Sequence, residues 1–333
     1  MVLKILDSDL GHISEVPSKL EDFLRQYIKP KYGQDFLRNE TMYLSCKNGL
    51  VYVGQSEVGI IDPKNIPNHG LTVLGSEDAT TCHIVIFRHC STGKTALAHL
   101  DSISKKGLHH IVNQLCLEND ESGNQVEVHI FGGYEDERDI SEELSLDLLK
   151  FLIRNQRFVF KLGFCVIGSI NTWFGEENSS KRFPRPRLYG VGINVETGQI
   201  VPADFISKTP DEHLRHVRLS YRQFRSHEEF DQARDFLYQD FNDDTGEFTI
   251  EPFEFVQRPD LVFIANAPDR FILENMSTSP KVEPEHFCSN IKSAVKLVLE
   301  HPEPLKTLFP HNKARKYKFS VNEQKWIRIN TVP

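Results

Sequence analysis

The chain has 333 residues, 39% hydrophobic and 26% charged, with a formal net charge of −8. That length buries a sizeable core as one large domain or two. The acidic balance argues against a general nucleic-acid or anionic-membrane binder, each of which needs a basic face.

From the N-terminus, residues 17–30 place Leu20, Phe23, Leu24, Tyr27 and Ile28 at helical intervals, and Pro30 stops the pattern. A short strand lies between Gly49 and Gly54, with Val58–Ile61 as its expected neighbour, and residues 62–70 are loop by composition. The run Leu71–Leu74 is expected to end at Gly75, and a polar loop from Ser76 to Thr81 then delivers Cys82. His83–Arg88 is a β-branched, apolar strand whose alternate positions (Ile84 and Ile86, Val85 and Phe87) are all apolar, so both faces should be buried. A polar turn at 91–94 leads to a second strand over 95–101.

Residues 107–117 read as a helix with Leu108, Ile111, Val112 and Leu115 inward, and 125–131 as a strand. Asp139 and Glu142 resemble a capping box for a helix reaching residue 156, and 158–167 is a central strand holding Cys165. An exposed loop is expected at 171–187 and a hairpin at 188–201. Between 207 and 245 the chain is charge-rich without a clean period. Arg215, Arg218, Arg222 and Arg225 alternate there with Glu212, Glu228, Glu229 and Asp231, which suggests a solvated surface. Residues 247–256 are strand-like, 261–265 form a further apolar run, and Pro284 introduces a helix over 285–300. The tail, 316–329, alternates like a closing hairpin. No linker cuts the chain, so one domain spanning 1–333 is expected.

The chemistry-bearing feature is Cys82, set where a loop meets a buried strand. If strands 82–88 and 95–101 pair around an even-length loop, paired positions sum to an odd number. Cys82, His99 and Asp101 then share a face, with backbone separations of roughly 4.5–8 Å, and only a bulge would separate them. A thiol beside an imidazole makes a nucleophile, because a neighbouring imidazolium favours the thiolate. The six cysteines contain no C-x-x-C pair and no zinc-ligand spacing, so neither metal nor cofactor is expected. Free thiols fit a reducing compartment.

The segment Gly75-Ser76-Glu77-Asp78-Ala79-Thr80-Thr81-Cys82-His83-Ile84-Val85 resembles the signature of the protein N-terminal asparagine amidohydrolases. Further resemblances lie at Glu127–Gly133, at Tyr189-Gly190 with Asn194-Val195, and at Ile272–Pro280. The first 45 residues and 205–255 match poorly and are expected to be peripheral additions around a catalytic centre at 71–102. The spacing of Ser76, Cys82 and His99 is also similar to that of bacterial chemotaxis-receptor deamidases, which implies an α/β fold of the α-β-β sandwich type.

This resemblance implies deamidation of an N-terminal asparagine to aspartate through a thioester on Cys82, feeding the N-degron pathway. His99 would be the acid–base, Ser76 its orienting partner, and the backbone N–H groups of Thr81 and Cys82 the oxyanion donors. A carboxylate must hold the substrate ammonium, and Asp101 ranks first, then Asp78, with Glu274 also a candidate. Ser277, Thr278 and Ser279 would supply polar walls. The alternatives are a module that binds N-termini without turnover, or a thiol deamidase or transamidase acting on internal glutamine. The first ten residues carry Lys4, Asp7 and Asp9, unlike a signal peptide, and no apolar run approaches the ~20 residues of a membrane span. A cytosolic monomer is expected, with a soluble nuclear pool left open, and no nucleic-acid or membrane partner.

Overall fold

The computed structural model describes residues 2–6, 12–115, 125–155, 157–177, 181–223, 236–255 and 257–329. At its centre is a seven-stranded mixed sheet. Edge to edge it runs His12–Ile13, Val2–Ile5, Val159–Val166, Gln125–Gly132, His83–His89, Thr95–Leu100, Val58–Ile61. Val2–Ile5, Val159–Val166 and Gln125–Gly132 are parallel, and the strands from His83–His89 onward pair antiparallel. Strands buried on both faces need apolar residues at consecutive positions, and Ile84, Val85, Ile86 and Phe87 are all fully enclosed.

One face of this sheet, with Val85, Phe87, Ala96, Ala98, Val126 and Val128, packs on the helices Leu20–Tyr27, Lys105–Leu115 and Ile140–Arg154. The opposite face, with Ile84, Ile86, Leu97 and Phe131, packs on Val51, Leu74, Val191, Ile193 and Ile200. These belong to a second sheet ordered Met42–Leu44, Ile200–Phe205, Val191–Asn194, Val73–Ser76, Leu50–Tyr52. The layers therefore run helices, large sheet, small sheet. Among the described residues no helix is long and apolar enough to cross a membrane.

Several expectations change on contact with tertiary structure. Gly75 does not end its strand but lies inside Val73–Ser76, because a Cβ there would meet the Phe205 ring at 2.4 Å and only glycine lets that ring pack down. Val58–Ile61 joins the large sheet, whereas Leu50–Tyr52 joins the small one, so these neighbours in sequence face each other across the core. The first helix is shorter than 17–30, and Pro30 opens a second helix, Pro30–Phe36, at the position that tolerates proline best.

Residues 171–187 contain an antiparallel ribbon, Thr172–Glu177 with Lys181–Pro186, not an open loop; its free edges accommodate Pro184 and Pro186. Asp139 sits at φ 58° and caps nothing. Asp136 instead accepts from the N–H groups of Ile140 (3.1 Å) and Ser141 (2.8 Å), and Glu142 accepts from Leu20 N–H at 2.9 Å. The run 261–265 belongs to a helix, Asp260–Asn266, with Leu261, Ile264 and Ala265 buried at helical spacing.

The strand expected over 247–256 is Glu247–Ile250. It pairs with Arg315–Ser320, which pairs in turn with Lys325–Ile329 as the closing hairpin. The last long helix, Phe287–Glu300, buries Cys288, Ile291, Ala294, Val295 and Val298. Residues 116–117, 156 and 256, with Arg225, Glu228, Glu229 and Asp231, lie outside the described residues. Both regions expected to be peripheral enter the body of the fold. Val2–Ile5 and Leu20–Tyr27 belong to the large sheet and its helix layer, and Arg215 and Arg218 are buried, not solvated.

Candidate active site

Strand register builds the site. Ile84 pairs with His99 and His83 with Leu100, so the next position sets Cys82 opposite Asp101 with no bulge in between. Paired numbers sum to 183, and Cys82, Ile84 and His99 share the face turned toward the small sheet. From that sheet, Ser76 points inward beside Leu74, and its Oγ lies 2.8 Å from His99 Nδ1. Ser76 and His99 are both essentially without solvent contact. The imidazole of one sheet is thus oriented by a hydroxyl of the other.

Cys82 and His99 line a common cavity of about 180 Å³, together with Tyr52, Gln55, Glu57 and Glu77. Lys208, Thr278, Glu283 and His286 complete the lining. Burial pushes the Cys82 thiol well above its usual range, with Asp101 and Glu283 adding to it, against a hydrogen bond from Thr81 that lowers it. Burial also pulls His99 down to about 4, against the carboxylates Asp101 and Asp78. The resting pair is accordingly a neutral thiol and a neutral imidazole. The imidazolium-stabilised thiolate expected from the Cys–His pairing is disfavoured because both charged forms would be shut away from water.

The arrangement suits transfer of a proton during attack. When His99 Nδ1 carries its proton and donates to Ser76 Oγ, Nε2 is the free acceptor, and Nε2 is buried with no other partner among the described residues. The backbone N–H groups of Thr81 and Cys82 have no acceptor among the described residues, so they are free to receive a developing oxyanion. Cys165, by contrast, is a buried mid-strand thiol pushed up to about 12, and Cys90 is exposed beyond the far strand end.

The remaining expected residues separate into those at the cavity and those away from it. Asp78 lines it with its carboxylate 2.6 Å from Lys208 Nζ and 3.0 Å from His286 Nε2. Against the cost of burial, these partners hold Asp78 down to about 2. Asp101 is outside the cavity wall and accepts from Gln55 Nε2 at 3.2 Å and Ser102 Oγ at 3.1 Å. Glu274 is not brought to the site: it is exposed on the Asp269–Met276 helix and pairs with Arg270 at 2.7 Å.

Ser277, Thr278 and Ser279 form the turn after that helix. Thr278 Oγ1 meets Thr81 Oγ1 at 2.9 Å, Ser279 Oγ lies 2.8 Å from Thr80 Oγ1, and Ser277 and Ser279 both donate to Glu283. This turn clamps the loop that carries Cys82.

Sequence reasoning missed Lys208, Glu283, His286 and the cluster in which Glu57 pairs with Arg215 and Arg218, and Arg218 with Asp240. The segment set aside as peripheral, 205–255, supplies Lys208, Glu212, Arg215, His216 and Leu219 to the cavity. Its interleaved charges were the available signal, since acids and bases with no helical period are as compatible with a buried ion-pair cluster as with a wet surface. Among the described residues no group of three or more His, Cys, Asp or Glu side chains is arranged to hold a metal ion.

A family profile described as "Protein N-terminal asparagine amidohydrolase" matches residues 41–328. Three proteins of that same name are similar to this chain. The Homo sapiens protein is 32% identical over 310 residues, covering 92% of this chain and 93% of its own length. The Sus scrofa protein is 31% identical with the same coverage, and the Arabidopsis thaliana protein is 28% identical over 298 residues, covering 84% and 81%. The profile runs through 205–255, in keeping with that segment's place in the cavity wall.

Proposed function

The chain belongs to the protein N-terminal asparagine amidohydrolase family, and we propose that it hydrolyses the side-chain amide of an N-terminal asparagine in proteins and peptides. The products are aspartate and ammonia, formed through a thioester on Cys82. The observation that carries this reading is the bridge from Ser76 to His99 at the cavity that also holds Cys82. The helix, large-sheet, small-sheet order supports the α-β-β sandwich of the Cys–His deamidases.

In the first half-reaction His99 Nε2 takes the Cys82 proton as Sγ attacks the side-chain amide carbon. The oxyanion is met by the Thr81 and Cys82 N–H groups. His99 returns the proton to the amide nitrogen, the C–N bond breaks and ammonia leaves. In the second half-reaction His99 removes a proton from water, the hydroxyl attacks the thioester carbon, and the C–S bond breaks. His99 returns that proton to the Cys82 sulfur, and the product acid gives up its own proton to solvent to become a carboxylate.

An N-terminal aspartate is a substrate for arginylation, which connects the reaction to the N-degron pathway in the cytosol and in a soluble nuclear pool. The protein is proposed to act as a monomer.

The test is mass spectrometry of Asn-, Gln- and acetyl-Asn-starting peptides after incubation with the protein. A one-dalton gain on the Asn peptide alone is expected. One methylene discriminates by about 1–3 kcal/mol, so a slow gain on the Gln peptide is compatible. No gain on any peptide would favour a binding module, and gain at internal glutamine would favour the transamidase class.

A further inference from the structure

We propose that Glu283 receives the α-ammonium group of the substrate, so that the carboxylate selecting a free N-terminus comes from the turn behind the 269–276 helix and not from the catalytic hairpin. This rests on the reaction proposed above. It follows from the charge balance around the cavity. Glu57 is taken by Arg215 and Arg218. Glu77 and Asp78 share Lys208 at 2.9 and 2.6 Å, and His286 completes Asp78.

Glu283 differs. Its Oε1 accepts from the hydroxyls of Ser277 and Ser279, and among the described residues no Lys, Arg or His lies within ion-pair distance of it. The nearby His286 has its Nε2 committed to Asp78. Hydroxyl donors hold a carboxylate in position without supplying a counter-charge, and burial raises the Glu283 carboxyl against them, a cost that an incoming cation would offset.

Placement agrees with the size of the substrate. Glu283 lines the same cavity as Cys82, and Asp101, which with Glu283 raises the Cys82 thiol, does not. In asparagine only two carbons separate the amide carbon from the amine nitrogen, so nucleophile and ammonium receptor must border the same small space. Asp101, held by Gln55 and Ser102 outside the wall, acts on Cys82 by its field and not on the amine. The same Ser277–Ser279 turn bridges to Thr80 and Thr81, so an ammonium drawn to Glu283 is positioned by the element that braces the nucleophile's loop.

The test uses the Cys82→Ala protein and two peptides, one starting with asparagine and one starting with succinamoyl, which is asparagine without its α-amine. Calorimetry should show the free amine binding about 30- to 4,000-fold more tightly, the range for a buried charge-assisted contact. Glu283→Gln in that background should remove most of the ratio, because glutamine still offers Ser277 and Ser279 an acceptor but no charge. Glu283→Asp should retain part of it, and serves as the readout if the glutamine variant does not fold. A ratio that survives Glu283→Gln, or an equal weakening of both peptides, overturns the assignment. The reaction itself is read separately, from the one-dalton gain with the unaltered protein, so its failure leaves the amine-binding ratio measurable.

Discussion

The two walls of the cavity are built by opposite means. One wall comes from paired strands close in sequence and carries Cys82 and His99, backed by Ser76 of the facing sheet, all neutral in the resting state. The other is gathered from three segments and is dense with charge: Lys208 between Glu77 and Asp78, then His286 and Glu283. The difference separates two requirements. A proton relay between a thiol and an imidazole works with uncharged groups sheltered from water. Recognition of a cationic chain end, as proposed above, needs fixed charges, and most of these must be partnered to be held at low solvent exposure.

The comparison breaks most completely at the neutral wall. Cys82→Ala should lower kcat on an Asn-starting peptide by on the order of 10⁴-fold or more, and Cys82→Ser nearly as much, while Cys90→Ala leaves it unchanged. Equal losses at both cysteines in folded protein would place the nucleophile elsewhere. On the charged wall, Lys208→Met strands two carboxylates and should cost roughly 3 kcal/mol or more of stability, read by urea unfolding. An unchanged midpoint with lost turnover would instead assign Lys208 to the chemistry.

Acid sharpens the contrast. His99 and His216 are pulled to about 4 and His83 to about 3, each chiefly by burial. Folded pKa values below the ordinary 6.5 mean that the unfolded chain binds more protons. Stability is therefore full above 6.5 and falls as pH drops toward 4, with His99 alone contributing roughly 3 kcal/mol at the lower end. Thermal melts across that window should show the decline, and a flat profile would mean that these imidazoles are reached by water. The smallest effect is expected at Gly75→Ala, where the new methyl meets Phe205. It should cost about 1–3 kcal/mol and be relieved by Phe205→Leu in the double variant.

What could be read from the sequence follows the same division. The parity argument put Cys82, His99 and Asp101 on one face because strand pairing is short-range and has a period of two, and the register bears this out. Ser76 was legible as a residue, but its contact with His99 crosses between sheets and no periodicity encodes it. Lys208, Glu283 and His286 were illegible. Lys208 and His286 meet Asp78 across 130 and 208 residues of chain, and neither stands in a pattern that distinguishes a buried charge from a wet one. Two local rules were overridden by packing: Gly75 is in a strand because an aromatic ring needs its space, and Asp136 took the capping role expected of Asp139.

The hydroxyl that orients the imidazole belongs to a different sheet from the imidazole, and this bears on the order in which the protein acquires activity. A folding intermediate with only the 83–100 hairpin formed would already bring thiol and imidazole near each other, since that contact is local. Its histidine would rotate freely between tautomers, with no Ser76 to select one. Competence arrives only when the two sheets close on each other and exclude water from Leu74, Ile84 and Leu97. On the mechanism proposed above, the single tautomer that leaves Nε2 free therefore exists only where both sheets are in place.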